Sequence, residues 1–188
     1  MGDEAIASLV IGGTGMLAEA TRWLARRYPP TLLVSRHASR FDPMAGAVVP
    51  LELDWSQPGF VQSIESRLRA MPPLAKALIW IHRPQAHLAE LAPLLPQPGG
   101  AVLVLGSRSG RPGAIGVPAG VATVRLGSVP TSDGRRWLTH AEISAAAIAA
   151  LEDGRSRVVG ELAPVNRGCV RGRSVQRGGY MGSKGRSK

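Results

Sequence analysis

The stretch IASLVIGGTGMLA, residues 6–18, decides the fold of this chain. Its apolar first half has the length of a β-strand and breaks into glycines before a sequence that favours a helix. In a nucleotide-binding βαβ unit, one glycine forms the tight turn, a second lets the backbone approach a pyrophosphate, and a small third residue lets helix and strand pack closely. Gly12, Gly15 and Ala18 have this spacing. A helix that begins near Gly15 would direct its unpaired amide groups and its positive dipole end at an anion.

The residues after the second apolar run predict which dinucleotide binds. Pro29 and Pro30 end the first helix, residues 31–34 form a short buried strand, and Ser35 and Arg36 follow it. An acidic residue here would accept hydrogen bonds from an adenosine 2′-hydroxyl, whereas serine and arginine suit a 2′-phosphate, because guanidinium presents a fixed fork of donors. The sequence therefore favours NADP over NAD. The alternative is that Arg36 is an ordinary solvated loop charge.

The order and spacing of these pieces resemble the short-chain dehydrogenase/reductase superfamily over residues 6–164. The matching pieces are the glycine turn at 12–15, Ser35-Arg36, LELDW at 51–55, IWIH at 79–82 and VLVLGS at 102–107. The resemblance implies a one-domain NADP-binding Rossmann fold, with Asp54 near the adenine and Ser107 at the position of the family's catalytic serine. The complete set of predicted cofactor contacts is Gly12, Gly13, Thr14, Gly15, Met16, Leu17, Ser35, Arg36, Asp54, Trp55 and Ile81.

Beyond Ser107 the chain departs from the active members of that family. They carry a tyrosine, and four residues later a lysine, on the helix that follows the fifth strand. Residues 108–120 contain neither residue type, and their glycines and prolines do not sustain a helix. Tyr180 and Lys184 have the correct spacing but lie among glycines near the end of the chain, where we interpret the match as a coincidence.

Alternating strand and helix signals predict an α/β fold with one doubly wound, mostly parallel sheet and helices on both faces. We expect the strand order 3-2-1-4-5-6 with right-handed crossovers, and Pro50 places the third strand at an edge because proline cannot donate to a central ladder. A helix is predicted over residues 57–71 with Ser56 as its N-cap. Another is predicted over residues 140–151, with Thr139 and Glu142 forming a capping box.

Composition divides the chain into a domain, residues 1–164, and a basic glycine-rich tail, residues 165–188. The formal net charge is +10, and the tail supplies seven basic residues and no acidic one. Because the tail has six glycines and no apolar periodicity, we expect it to be disordered. A competing hypothesis makes this tail a binder of nucleic acid or of an acidic surface. The body of the domain lacks a basic stripe, which weighs against that hypothesis.

Other features exclude several classes of protein. One cysteine, Cys169, forms no internal disulfide, so the sequence fits a reducing cytoplasm. The acidic N-terminus does not resemble an export signal, and the first apolar run is too short to span a membrane. The histidines and Cys169 have no metal-ligand spacing, so no metal site is expected. The chain has no nucleophile elbow and no Gly-Lys-Ser/Thr phosphate loop. No sequence feature selects an interface for a homo-oligomer.

Two functional hypotheses remain for the predicted crevice. In the first, the domain transfers hydride between NADP(H) and a small carbonyl substrate, with Ser107 binding the carbonyl oxygen and His82 supplying the proton. In the second, it binds NADP(H) without chemistry and acts as a redox-responsive or structural partner. The complete cofactor crevice favours an oxidoreductase, and the absence of the family's tyrosine and lysine favours the binding module.

Overall fold

The computed structural model describes residues 5–96, 98–106 and 115–162. The strands are β1 (Ala7–Ile11), β2 (Thr31–Ser35), β3 (Val48–Glu52), β4 (Leu74–Ile79), β5 (Ala101–Leu105), β6 (Val121–Leu126), β7 (Ser128–Thr131), β8 (Gly134–Trp137) and β9 (Arg157–Val159). The α-helices are α1 (Ala18–Arg27), α2 (Phe60–Leu68), α3 (Gln85–Leu91) and α4 (His140–Asp153). Short 3-10 helices cover Ala38–Arg40 and Ala92–Leu94.

Seven strands form one sheet in the order β3-β2-β1-β4-β5-β6-β9, and every neighbouring pair is parallel. The chain moves from β1 outward to β3 and then returns to the other side of β1 with β4. This reversal confirms the predicted doubly wound fold and its strand order. It also opens a crevice beyond the carboxyl ends of β1 and β4, where sheets of this kind bind ligands.

The central strands are apolar because helices cover both of their faces. All five residues of β1, β2 and β5 are buried. The polar side chains among them are paired: the hydroxyls of Ser8 and Thr31 lie 2.6 Å apart. β3 is only partly buried and carries Pro50 at the sheet edge, as its sequence predicts.

Two hydrophobic layers lie on opposite faces of the sheet. One contains α2 and α3, and the other contains α1 and α4. α1 connects β1 to β2, and α4 connects β6 to β9 in the opposite direction along the sheet. Because both helices lie on the same face, these two crossovers have opposite hands, so the expectation of uniformly right-handed connections was wrong. The β6 to β9 connection also holds two extra strands and is not a simple βαβ unit.

Local hydrogen bonding shifts two helix boundaries from their predicted positions. α1 begins at Ala18 instead of near Gly15. α2 begins after Gly59, whose φ is +77°, so Ser56 is not its N-cap. Ser56 instead donates to Asp54 Oδ1 from its amide at 2.9 Å and from its hydroxyl at 2.8 Å. A short side chain that accepts from the backbone two residues on forms an Asx-turn, which competes with helix capping.

The antiparallel hairpin of β7 and β8 was not predicted from the sequence. Its signal was Asp133-Gly134, a dipeptide that favours tight hairpin turns. Arg135 connects the hairpin to the segment after β9 by donating to Glu161 Oε2 at 3.1 Å, and within the hairpin it donates to Ser128 Oγ at 2.7 Å. Because β7 follows β6 directly, the hairpin extends from the carboxyl end of β6. The crevice also lies beyond the carboxyl ends of the strands.

Ser107, Cys169, Tyr180, Lys184 and the whole tail from 165 to 188 lie outside the described residues. Predictions about them therefore stay predictions. None of the helices within 5–96, 98–106 and 115–162 combines the length and apolar character needed to cross a bilayer.

The predicted capping box at the start of α4 is confirmed. Thr139 Oγ1 accepts from the amide of Glu142, and the Glu142 carboxylate accepts from the amide of Thr139. Arg136 donates two further hydrogen bonds to the same carboxylate at 2.9 and 2.8 Å. These bonds, led by those from Arg136, lower the pKa of Glu142 from 4.5 to about 2.

This capping box predicts a pH-dependent contribution to stability. Since the pKa of Glu142 is depressed in the folded state, its contribution is present above pH 4.5 and is lost as the pH falls toward about 2. We expect Glu142→Gln to lower the urea unfolding midpoint at pH 7, and we expect its difference from wild type to narrow between these pH values. Glu152→Gln, an exposed position on the same helix, is the control. A difference that stays constant with pH would contradict the assignment.

Candidate functional site

The turn between β1 and α1 uses its three glycines in three ways. Gly12 has φ +77°, and a Cβ there would lie 2.2 Å from the carbonyl oxygen of Trp80. A Cβ on Gly13 would lie 2.3 Å from Thr21 Oγ1, so the close strand-to-helix contact that spacing assigns to Ala18 is made at Gly13. A Cβ on Gly15 would meet nothing within 4 Å. Gly12 and Gly13 are thus required by packing, whereas Gly15 faces open space.

The backbone of this turn presents hydrogen-bond donors that the protein does not use. The amide of Gly12 donates to Val34 O, and the amide of Ala18 donates to Gly15 O. None of the amides from Gly13 to Leu17 donates a hydrogen bond within the described part of the chain. A run of free N–H groups at the start of a helix attracts an anion through both its donors and the helix dipole.

The end of β2 brings a cation next to an aromatic ring. Ser35 is buried, and its Oγ accepts from the amide of His37 at 3.3 Å. Arg36 is exposed, with its guanidinium carbon 5.7 Å from the centre of the Trp55 ring. This distance is typical of a cation–π contact. The contact joins the loops that follow β2 and β3.

Asp54 contributes an ionised carboxylate beside this contact. The amide of Ser56, then its hydroxyl and to a lesser extent Arg36, lower the pKa of Asp54. Both hydrogen bonds from Ser56 go to Oδ1. Oδ2 accepts no hydrogen bond among the described residues, so it can accept one from a ligand amino group.

A cavity of about 400 Å³ lies between the glycine turn and the loop after β2. Its lining residues are Thr14, Arg22, His37, Arg40, Phe41 and Asp42. Arg22 is held in place, since its Nε donates to Asp42 O at 3.1 Å and its guanidinium lies over Phe41. Arg40 makes no side-chain hydrogen bond or ion pair within the described residues. The cavity is therefore lined by two arginines and a histidine against a single acidic side chain.

Three of these lining residues, Arg22, His37 and Arg40, were not assigned to the site from the sequence. The signal for His37 and Arg40 was their position with Arg36 within the five residues after β2, whereas Arg22, on α1, has no such local signal. A larger groove of about 450 Å³ lies at the amino end of β4, lined mainly by apolar residues such as Leu68, Pro72 and Leu94. This groove lies beyond the amino ends of the strands, whereas the free amides of the turn lie beyond their carboxyl ends. The larger volume of the groove therefore does not identify it as the site.

His82 lies between two tryptophan rings at the end of β4. Its ring centre is 5.4 Å from that of Trp80 and 5.9 Å from that of Trp55. The contact with Trp55 places the imidazole beside the same loops as Arg36. Because Ser107 lies outside the described residues, the pairing of His82 with Ser107 as catalytic groups stays a prediction.

Several predicted cofactor contacts can act only through their backbone. The side chains of Leu17 and Ile81 belong to the hydrophobic core. Thr14 and Gly15 are exposed at the crevice, and Met16 is half-buried. Among the described residues, no group of three histidine, cysteine, aspartate or glutamate side chains could hold a metal ion.

No protein-family model matches the chain, and no curated protein matches it. Solved structures do. A short-chain dehydrogenase/reductase from Serratia marcescens matches with a TM-score of 0.59 and 13% identity, covering 85% of this chain and 99% of that one. A doubly substituted variant of a Serratia marcescens short-chain dehydrogenase/reductase matches at 0.56 and 12%, over 85% and 99%. A putative D-mannonate oxidoreductase from Haemophilus influenza with bound NAD matches at 0.54 and 7%, over 84% and 94%.

Alanine should affect stability differently at Gly12, which is closely packed, and at Gly15, which faces open space. Gly12→Ala forces a side chain into a left-handed φ and against the Trp80 carbonyl, so we expect a loss of stability of at least about 1–2 kcal/mol. Gly15→Ala places its methyl in open space and should change the urea unfolding midpoint little. Equal destabilisation by the two substitutions would contradict the geometry of the turn.

Proposed function

We propose that this chain, which has the Rossmann fold of the short-chain dehydrogenase/reductases, binds NADP(H) and transfers hydride between it and a small carbonyl substrate. The observation that carries the proposal is the run of unused amides from Gly13 to Leu17 at the start of α1. A pyrophosphate is the part of the cofactor that such donors recognise. Gly15, with open space beside it, lets that group approach the backbone.

The preference for NADP over NAD is supported by the charges around the end of β2. No carboxylate follows this strand directly, where one would accept hydrogen bonds from a ribose 2′-hydroxyl. Instead Arg36, His37 and Arg40 follow it, and the last two line the cavity beside Thr14. A 2′-phosphate in this cavity would meet the guanidinium of Arg40 and the hydroxyl of Thr14.

Arg36 is proposed to have a second role. Because it packs over Trp55, its guanidinium and this indole together form one wall against which the flat adenine ring can stack, and Asp54 Oδ2 can accept from the adenine amino group. In this proposal Arg40 binds the 2′-phosphate. Arg36 contributes a stacking contact to the adenine and a positive charge beside the 2′-phosphate.

The cofactor supplies the hydride, so the protein needs to hold the substrate carbonyl and deliver a proton. Ser107 and His82 are the proposed groups, with Ser107 binding the oxygen and His82 supplying the proton. Two observations favour the second candidate, a binding module without chemistry. Residues 108–120 contain no tyrosine or lysine, and the His82 ring packs between two tryptophans beside the proposed adenosine pocket.

The cofactor preference is tested by Arg40→Ala and Arg36→Ala. Removing a charge-assisted contact with the 2′-phosphate costs about 1.5–3 kcal/mol, so we expect the Kd for NADPH to rise roughly tenfold to hundredfold in Arg40→Ala. The Kd for NADH should change little. Arg36→Ala should weaken both cofactors, because it also removes the stacking contact.

Isothermal titration of both cofactors against each variant measures these effects. Arg69→Ala, which removes an exposed arginine paired with Glu65 on α2, is the control for loss of one positive charge. An equal loss of NADPH and NADH affinity in Arg40→Ala would show that Arg40 does not read the 2′-phosphate.

Turnover is tested by following NADPH oxidation with a panel of aldehydes, ketones and quinones. We expect activity that falls in both Ser107→Ala and His82→Ala, with Gly15→Ala as a folded control that binds the cofactor poorly. Turnover that survives in the double variant would contradict the catalytic assignment. Tight NADPH binding without turnover on the whole panel would favour the binding module.

A further inference from the structure

A partly buried hydrogen bond connects the glycine turn to a residue of α4 that lies 128 positions away in sequence. Ser144, on α4, is almost completely buried, and its hydroxyl donates to the carbonyl oxygen of Met16 at 3.0 Å. No other group in the described part of the chain donates to this carbonyl. We propose that Ser144 is a positioning residue that orients the phosphate-binding amide of Leu17 and so sets the affinity of the turn for a dinucleotide. This inference rests on the proposed function.

The planarity of the peptide bond carries the argument. The carbonyl of Met16 and the amide of Leu17 belong to the same peptide unit, in which the C=O and N–H bonds point in opposite directions. Ser144 holds the carbonyl toward α4. The Leu17 N–H is thereby directed away from α4, and it is one of the amides that the protein leaves unused.

The other end of the turn is held by the same kind of contact. Thr21 Oγ1 lies 2.9 Å from the carbonyl oxygen of Gly13, which fixes the peptide unit that includes the amide of Thr14. Thr21 belongs to α1, the helix that directly follows the turn, so its contact with Gly13 does not depend on another helix. Ser144 is different because it makes the orientation of Leu17 depend on where α4 packs.

The position of α4 is itself fixed at both ends. Its first turn is held by the capping box of Thr139 and Glu142. Near its last turn, Lys76 Nζ from β4 donates to the carbonyl oxygen of Leu151 at 2.5 Å. Between these points α4 packs on α1 within one hydrophobic layer. A donor carried by such a fixed helix pre-organises the turn, which reduces the cost of ordering it on binding.

The test compares Ser144→Ala with Ser8→Ala. Both substitutions remove a buried hydroxyl, but Ser8 donates to Tyr28 O near the amino end of β1, remote from the turn. We expect Ser144→Ala to raise the Kd for NADPH about tenfold, while its Kd for adenosine 2′-monophosphate, which has no pyrophosphate, stays unchanged. Ser8→Ala should lower the unfolding midpoint and leave both Kd values unchanged. Binding is measured by isothermal titration calorimetry.

The outcomes separate this inference from the proposed function. Wild-type affinity for NADPH in Ser144→Ala would overturn the role of Ser144 alone. Equal weakening of NADPH and adenosine 2′-monophosphate would overturn it too, since that result indicates a general loss of structure. If wild-type protein binds neither NADPH nor NADH, the proposed function fails and this inference fails with it. Should Ser144→Ala not fold, Ser144→Cys, with a weaker donor of similar size, is measured in its place.

Discussion

The whole crevice depends on a backbone constraint at one residue, Gly12. Its left-handed φ of +77° ends β1, and its Cα lies so close to the Trp80 carbonyl that a side chain has no room. Because β1 and β4 are neighbours on opposite sides of the chain reversal, this contact brings the ends of both strands together at the point where the sheet opens. A bulkier residue would move either the turn or the end of β4. Packing at Gly12 therefore fixes the turn, and the chemistry of the site comes from the backbone groups that this turn leaves unpaired.

Around this constraint, the protein fixes carbonyl groups and leaves amide groups free. Thr21 and Ser144 donate to the carbonyls of Gly13 and Met16, and no acceptor within the described residues reaches the amides from Gly13 to Leu17. Such a surface is pre-organised for an anion, since little structure needs to change when one binds. The cations lie farther out, at the end of β2, where they suit a second phosphate better than the first. This division supports a ligand with a central pyrophosphate and a peripheral phosphate.

The strand order, the edge position of β3 and the capping box of α4 were predictable, because each depends on a local pattern: apolar runs separated by glycines, Pro50, and Thr139 three residues before Glu142. The features that were missed depend on competition or on distance. Ser56 is a residue type that often caps helices, but its amide and hydroxyl donate to the Asp54 carboxylate instead. Arg22 and Arg40 come together through tertiary packing of α1 against the loop after β2, and the contact between Ser144 and Met16 has no local signal at all. Charge and spacing therefore located the turn, but they did not identify the side chains that orient it.

Binding of NADPH at the glycine turn is measured most directly by the change in amide chemical shifts of ¹⁵N-labelled protein on titration with NADPH. We expect the largest changes at the amides of Gly13 to Leu17, accompanied by changes at Arg36 and Arg40, because these groups would contact the two phosphate-bearing parts of the cofactor. Changes concentrated at the groove near Leu68 and Leu94, or no changes at the turn at saturating NADPH, would contradict it.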